Sequence, residues 1–353
     1  MSAPVSRRIW SNFKNRSSSL AVKSKALQGA LLSANLPNGP VSYKSNSRKR
    51  QYTSPIGLDG VYPMAYEILE KESEKIYQKI STIEESLEKE QDIEKLNQLK
   101  TQWESLQVEA EKFNPEVIYN AEYATNSVDR SQPVYRHFLK QKWIDYKRML
   151  TMQRLETLKI IPDTLPTLSP EVDVQLKFPH NNVETLIEPG VVLSSNATSR
   201  PPAIEVIEFK ESINDLYTVL IVDPDTPDVA NDSFSTTLCW GLQNVKLSNN
   251  DSWISAKKLT EQPDCEFSEY LPSVPEKNSG KHRYAVWIFR QNGQSAIPKD
   301  IPKENFNIRN FVKENNLKAV GAHVWRSVWD MNTENVRDLY GLPAGRIFSR
   351  ERS

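Results

Sequence analysis

The chain has 353 residues, which allows about two domains and at least one sizeable core. Its 45 basic and 45 acidic residues cancel, so any preference for a charged partner depends on where the charges lie and not on their sum. The only cysteines are Cys239 and Cys265, and no apolar run approaches the roughly 18 residues that span a bilayer. We therefore expect neither a disulfide-stapled secreted fold nor a membrane anchor.

The N-terminal segment is strongly basic, since residues 1–58 contain ten Lys or Arg and no Asp or Glu. Its Arg- and Ser-rich beginning, with scattered apolar residues, is typical of a mitochondrial presequence, although an ordinary disordered basic tail has a similar composition. Four cations near Tyr43 and Tyr52 are predicted to contact RNA phosphates while the rings stack: Lys44, Arg48, Lys49 and Arg50. Residues 1–60 are thus predicted to form a largely extended presequence and RNA-binding arm.

Residues 61–113 are predicted to form an acidic helical segment, because residues 64–113 lack Gly and Pro and hold 13 acidic and 7 basic side chains. Its apolar residues follow two helical seams: Ile76, Ile80, Ile83 and Leu87, then Leu96, Leu99, Trp103, Leu106 and Ala110. The phase break at residues 88–92 fits either a stutter in one long coiled-coil helix or the turn of a helical hairpin. Either a docking helix for a partner protein or a self-packed hairpin with a solvated acidic face explains the pattern.

Residues 114–164 are predicted to form a basic amphipathic helix and a linker, with helix starts at Asn114-Pro115 and Pro133. At 100° per residue, Trp143 shares a stripe with four cations: Arg136, Lys140, Lys147 and Arg154. The adjoining arc is apolar and is expected to pack: Tyr135, Phe138, Leu139, Tyr146, Met149 and Leu150. The cationic stripe suits a phosphate backbone, and a solvated basic face is the alternative.

Beyond three spaced prolines, the chain becomes β-rich, and residues 165–335 are predicted to form a second domain followed by a tail at 336–353. Residues 216–222 are a continuous apolar run, as expected for a strand that is covered on both faces, and it leads into Asp223-Pro-Asp-Thr-Pro227. A second strand begins at His282 and alternates, so that Tyr284 shares its face. Polar side chains are thus predicted at the mouth of an apolar wall.

Ordered motifs in this region resemble the phosphatidylethanolamine-binding protein family. They are Asp223-Pro-Asp-Thr-Pro227, Cys239-Trp240, Gly280-Lys-His-Arg-Tyr284, Phe306-Asn-Ile-Arg-Asn-Phe311 and Gly321-Ala-His-Val-Trp-Arg-Ser-Val-Trp-Asp330. The resemblance implies an α+β fold, with a C-terminal domain of antiparallel sheets and short helices preceded by the long helices and the basic arm. It also implies a small pocket for anionic head groups, lined by Asp223, Asp225, His282 and Tyr284.

Two departures from the family pattern predict that this pocket is degraded. Cys239 stands where the family has a second histidine, and a thiol is a weak donor that carries no positive charge. The family's Gly-x-Gly-Pro loop is replaced by Pro272-Ser-Val-Pro275, which stiffens the backbone and puts a β-branched side chain in place of a glycine. We therefore expect no small-molecule substrate, cofactor or metal ion.

The N-terminal half resembles a branch of the family found in the mitochondrial large ribosomal subunit of fungi, through residues 129–136, 152–156 and 161–166. This resemblance implies a non-enzymatic structural component of the mitochondrial ribosome in the matrix, at the central protuberance, that supports mitochondrial translation. The implied partners are large-subunit rRNA and neighbouring mitochondrial ribosomal proteins.

Two other functions are open to the sequence. A free regulatory protein of the family would bind phospholipid or another anion, but it would have little use for an acid-free arm and a helical appendage. An enzyme could use Asp223, Asp225 and His282 as metal ligands or as acid and base. The chain has four histidines and neither a second carboxylate cluster nor a nucleophile elbow beside the Asp pair, so an enzyme is disfavoured.

Overall fold

The computed structural model describes residues 58–90, 92–123, 128–179, 185–212, 215–299 and 301–349. The predicted presequence and the four predicted RNA contacts Lys44, Arg48, Lys49 and Arg50 lie outside the described residues. The chain divides into two compact units, unit 1 at residues 1–139 and unit 2 at residues 140–353. Among the described residues, no helix combines the length and the apolar character that a membrane span requires.

Unit 1 is helical, and two of its helices begin at side chains that cap them. The helices are α1 (Leu58–Lys89), α2 (Ile93–Glu111), α3 (Pro115–Tyr123) and the first part of α4 (Pro133–Lys142). The carboxylate of Asp92 accepts a hydrogen bond from the Glu94 N–H at the start of α2, and the Asn114 side chain accepts one from the Glu116 N–H at the start of α3. These bonds satisfy N–H groups that have no partner inside a helix.

Helices α1 and α2 form an antiparallel hairpin, which decides between the two arrangements that the phase break left open. The Tyr77 hydroxyl donates to Glu111, and Trp103 Nε1 donates to Glu84 Oε1 at 3.0 Å, so residues farther along α2 meet residues nearer the start of α1. Both predicted seams meet in one cluster, in which Ile80, Trp103 and Ala110 are buried and Ile76, Ile83, Leu87 and Leu106 are partly buried. Most of the seam residues therefore pack against each other within the hairpin.

Unit 2 contains a π-helical turn (Trp143–Lys147), α5 (Arg148–Thr157), α6 (Ile160–Asp163), α7 (Ala256–Glu261), α8 (Ile308–Glu314) and α9 (Thr333–Leu339). Its strands are β1 (Asp173–Lys177), β2 (Val192–Leu193), β3 (Ala203–Ile207), β4 (Asp215–Asp228), β5 (Ser233–Leu247), β6 (Trp253–Ile254), β7 (Glu266–Ser268), β8 (Lys281–Arg290) and β9 (Lys318–Val328). The strands form a three-stranded sheet ordered β1-β3-β6 and a six-stranded sheet ordered β2-β9-β8-β4-β5-β7. All described pairings are antiparallel except that of β2 with β9.

The six-stranded sheet is covered on both faces, as the apolar run at residues 216–222 predicted. Val219 and Ile221 pack with the small sheet in one core cluster, whereas Leu220 and Val222 pack with helical residues such as Leu155 in the other. The predicted alternation along β8 is also present, since Tyr284 joins the first cluster and its neighbour Ala285 the second. The predicted α+β architecture is confirmed.

Candidate functional site

Strands β4 and β8 bring two of the predicted pocket residues into direct contact. His282 Nδ1 lies 2.7 Å from Asp223 Oδ2, and His282 Nε2 lies 2.8 Å from Ser279 Oγ. Asp223 and His282 are only 5 % and 3 % exposed, so the pair is shielded from solvent. The order Asp, His, Ser resembles the hydrogen-bonded triad of serine hydrolases, which use the serine as nucleophile.

The direction of the hydrogen bonds excludes a nucleophilic role for Ser279 in this arrangement. When its hydroxyl donates its single proton to the Glu276 carbonyl at 2.8 Å, His282 Nε2 is the donor to Ser279 Oγ. In that arrangement His282, whose Nδ1 faces the carboxylate of Asp223, carries protons on both ring nitrogens. A protonated histidine cannot act as the general base that a nucleophilic serine needs.

The pKa of His282 agrees with this assignment. Burial is the largest influence and by itself lowers the pKa, but the hydrogen bond and the negative charge of Asp223 together raise it above its ordinary value. The pair is therefore a buried, hydrogen-bonded salt bridge whose charges neutralise each other.

Asp225, the second predicted pocket carboxylate, is fully occupied by Arg283. Arg283 Nη2 donates to Asp225 Oδ1 at 2.6 Å, and both the backbone N–H and Nε of Arg283 donate to Oδ2 at 2.8 Å. The other end of the guanidinium, Nη1, donates to the Leu158 carbonyl at 2.7 Å and to Asp163 Oδ2 at 2.8 Å. Asp225 is thus a structural anchor for the segment between α5 and α6.

The sequence interpretation missed Arg283, although the residue stands inside the quoted Gly-Lys-His-Arg-Tyr motif. The signal was available in the alternation of β8, because Arg283 must point to the opposite face from its neighbours His282 and Tyr284. A cation on the helix-covered face of a buried strand requires an anionic partner there.

The remaining pocket positions, Cys239 and Tyr284, belong to the apolar core. They are 2 % and 3 % exposed, and the Tyr284 ring stacks on Trp325 with centroids 5.4 Å apart. The Cys239 thiol makes a weak contact, at 3.8 Å, with the Thr237 carbonyl. Burial raises the pKa of Cys239 and of Tyr284 well above their ordinary values, so neither carries a charge near neutral pH.

The C-terminal segment is hydrogen-bonded to the loop that precedes His282. Arg346 Nε binds Glu276 at 3.0 Å, the Phe348 N–H donates to the Lys277 carbonyl at 3.0 Å, and Asn278 Nδ2 donates to the Phe348 carbonyl at 2.8 Å. Arg337 Nη1 also donates to the carbonyl of Val274 at 3.2 Å. The described part of the predicted tail is therefore integral to the domain and restrains the altered pocket loop.

The four cations of the predicted stripe do not share one exposed face, because Arg136 is buried. Its side chain is 4 % exposed, its Nη2 binds Glu104 Oε1 at 2.8 Å, and its Nη1 donates to the Ser131 carbonyl at 2.6 Å. The charge of Arg136 is neutralised within unit 1, because a buried guanidinium requires such partners.

The other stripe residues lie in unit 2. Lys140 and Arg154 are exposed, whereas Lys147 binds Asp173 Oδ2 at 3.4 Å. The π-helical turn interrupts the 100° period on which the stripe and its apolar neighbours were predicted. As a result, Tyr146 and Met149, which were expected to pack, are 66 % and 68 % exposed.

His323 is a buried neutral histidine. Its Nε2 donates to the Ile187 carbonyl at 3.1 Å, and its Nδ1 has no hydrogen-bond partner among the described residues. Burial lowers the pKa of His323 to about 4. The search of the described residues finds no group of three or more His, Cys, Asp or Glu side chains that could hold a metal ion.

The similarity to known proteins extends beyond the β-rich domain. Residues 178–328 match the family model described as phosphatidylethanolamine-binding protein. The chain is 32 % identical over 276 residues to the large ribosomal subunit protein mL38 of Schizosaccharomyces pombe, which covers 77 % of this chain and 83 % of that protein. The chain belongs to the mL38 family. An alignment of 276 residues must include residues outside 178–328. The similarity to mL38 therefore includes part of the helical region.

Other relatives align with a smaller part of the chain than mL38 does. Protein FLOWERING LOCUS T of Arabidopsis thaliana is 22 % identical and covers 47 % of this chain and 85 % of its own length. The solved carboxypeptidase Y inhibitor, in complex with its cognate proteinase, has a TM-score of 0.40 and 16 % identity over 51 % of this chain and 95 % of that chain. The phosphatidylethanolamine-binding protein of Plasmodium vivax has a TM-score of 0.37 and 20 % identity over 51 % of this chain and 98 % of that chain.

The ion pair of His282 predicts a loss of stability on the alkaline side. Because the folded pKa is raised above the unfolded value of about 6.5, the contribution of the pair is complete below that pH and is lost as pH rises through the folded pKa. We expect the free energy of unfolding in urea to fall as the pH rises above about 6.5. Asp223→Asn should flatten this slope, and an unchanged slope in that variant would contradict the assignment.

His323 predicts the opposite slope on the acid side. Its folded pKa of about 4 lies below the unfolded value, so protonation of the unfolded chain costs stability as pH falls from 6.5. The loss should reach ~2 kcal/mol between pH 6.5 and 5, before most carboxylates titrate. Urea unfolding of His323→Gln, which keeps a donor for the Ile187 carbonyl, should show little of this loss. A wild-type free energy of unfolding that does not change between pH 6.5 and 5 would contradict the prediction.

The occupied pocket residues predict that the full chain does not bind head groups. We expect calorimetry with inorganic phosphate or phosphoethanolamine to show no saturable heat, because Asp223, Asp225 and His282 already have protein partners and Cys239 supplies no charge. The double variant Cys239→His, Val274→Gly tests the two departures directly. Binding by the wild-type chain that disappears in His282→Ala would show that the pocket is functional after all.

Proposed function

We propose that this protein is a structural component of the mitochondrial large ribosomal subunit. The observation that carries the proposal is membership of the mL38 family over 77 % of the chain, because the relative in question is a large ribosomal subunit protein. The acid-free, Arg- and Ser-rich beginning of the chain supports a mitochondrial location, in the matrix, where the mitochondrial ribosome works. A place at the central protuberance is part of the same proposal.

The proposed partners are large-subunit rRNA and neighbouring ribosomal proteins. The arm residues Lys44, Arg48, Lys49 and Arg50 would meet phosphates together with Lys140, Lys147 and Arg154, whereas Arg136 would hold α4 to α2. The α1–α2 hairpin is acidic, with its apolar seams packed internally, so it would face proteins and not the RNA backbone.

A non-enzymatic role is supported by the state of the candidate site. His282 is paired with Asp223, the Ser279 hydroxyl donates to a carbonyl, and the Asp225 carboxylate accepts three hydrogen bonds from Arg283, so each group already has a partner inside the protein. The same contacts weaken the alternative of a free phospholipid- or anion-binding regulator. The domain would serve the ribosome as a rigid module.

Charge reversal tests the proposed RNA contacts of unit 2. Replacing Lys140, Arg148 and Arg154 with Glu, and leaving Lys147 in its ion pair with Asp173, should reduce co-sedimentation of the full chain with mitochondrial large subunits by about tenfold or more, since each change converts a phosphate attraction into a repulsion. The effect should grow as salt is lowered, because phosphate contacts release counterions. Sucrose gradients of mitochondrial lysate, with immunodetection, provide the measurement.

A matched control reverses three exposed lysines elsewhere in unit 2, Lys257, Lys281 and Lys313, and thus changes the net charge equally. This control should sediment with the large subunit as the wild type does. Equal loss in both triple variants would show that bulk charge alone matters, and no loss in the first would remove this helix from the RNA interface. A wild-type chain that remains at the top of the gradient would contradict the ribosomal assignment itself.

A further inference from the structure

The helical segment at residues 140–158 is attached to unit 2 by a narrow strip and leaves most of its circumference exposed. Within this range, all of which the structure describes, only Trp143 and Leu155 are buried. The Trp143 ring packs against Phe209 with centroids 4.9 Å apart, and the guanidinium of Arg148 lies over Trp143 at 5.9 Å. The Lys147–Asp173 ion pair adds a second attachment beside Trp143. These contacts fix which side of the segment faces away from unit 2.

That outer face carries apolar side chains that the described residues do not cover. Ile144, Tyr146 and Met149 are 38 %, 66 % and 68 % exposed. Tyr146 and Met149 are three residues apart and therefore share a face. The π-helical turn contributes to the exposure, since it holds more residues per turn than an α-helix and so rotates Tyr146 farther from the buried Trp143. Such turns occur frequently at functional sites.

The apolar side chains lie among cations, which determines the class of partner. Residues 140–154 contain five Lys or Arg and one acid, Asp145. Helical spacing places Lys140 and Arg148 four residues to either side of Ile144, and Arg154 remains exposed beyond Met149. Protein interfaces are depleted in lysine, whereas grooves for single-stranded nucleic acid combine cations with aromatic rings on which bases stack. The charge and the exposed ring together favour RNA over a protein partner.

We propose that Tyr146 is a stacking platform for an unpaired RNA base, with the flanking phosphates held by Lys140, Arg148 and Arg154. Met149 extends the apolar surface beside the ring. This inference rests on the proposed function for the source of the RNA, and it adds a mode of contact: the helix binds a splayed single strand and does not only follow the backbone of a duplex. An A-form duplex offers no exposed base face to an aromatic side chain along its length.

The test compares two oligonucleotides that carry the same phosphates. The full chain is titrated with a single-stranded oligouridine of about ten nucleotides and with an abasic strand of equal length, and binding is followed by fluorescence anisotropy. Wild type should prefer the strand with bases. Tyr146→Ala should weaken its binding about fivefold or more and reduce the preference by the same factor, since one stacked base contributes that much. Tyr146→Phe, which keeps the ring, should behave as wild type.

A matched control removes another exposed tyrosine. Tyr123 is 67 % exposed in α3, so Tyr123→Ala deletes a side chain of the same kind and exposure from unit 1. It should leave both affinities unchanged. Lys140→Glu with Arg154→Glu should weaken binding of both strands by the same factor, because phosphates are common to them.

Each outcome separates the stacking contact from the proposed function on which it rests. If Tyr146→Ala binds both strands as wild type while the charge variant binds neither well, the stacking contact is wrong and the phosphate contacts stand. If neither variant affects binding, this helix is not an RNA interface. If Tyr146→Ala reduces co-sedimentation with large subunits but leaves oligouridine affinity unchanged, a protein occupies the face and the inference is overturned.

Discussion

The organisation of unit 2 depends on the bidentate contact between Arg283 and Asp225. The guanidinium lies between the turn that follows the apolar part of β4 and the segment that joins α5 to α6, and it binds both through hydrogen bonds of 2.6 to 2.8 Å. A half-buried arginine needs such partners, and removing one would leave charge uncompensated in the domain. The contact attaches the helical layer to the sheet, and α5 leads back to the π-helical turn that carries the exposed basic surface.

The same pair of strands accounts for the altered pocket. On one face of β8, Arg283 holds Asp225; on the other, His282 holds Asp223, and the Ser279 hydroxyl completes the array. Asp223, Asp225 and His282 each have hydrogen-bond partners inside the protein. The C-terminal segment restrains the loop through Glu276 and so limits rearrangement around His282. A fully hydrogen-bonded polar network of this kind makes a fold more rigid.

The two units differ in surface charge and in the apolar side chains that they leave exposed. In the α1–α2 hairpin the apolar seams meet each other, and a solvated acidic surface is left. In the helix of unit 2 the reverse holds, since cations and the apolar side chains Tyr146 and Met149 are exposed while Trp143 and the Lys147–Asp173 ion pair attach the turn to the domain. The first surface repels a phosphate backbone, whereas the second is suited to a single strand.

The sequence by itself determined the α+β class, the two seams of the hairpin, the strands around Asp223 and His282, and the loss of a histidine at Cys239. The seams and strands depend on local periodicity, whereas the α+β class and the lost histidine are what the resemblance carried by the ordered motifs implies. Only the tertiary structure decided that Arg136 is internal, that Tyr146 is exposed and that Arg283 occupies Asp225. The physical reason is that an ion pair such as Arg136 with Glu104 joins distant residues, and that one π-helical turn shifts every later side chain around the helix.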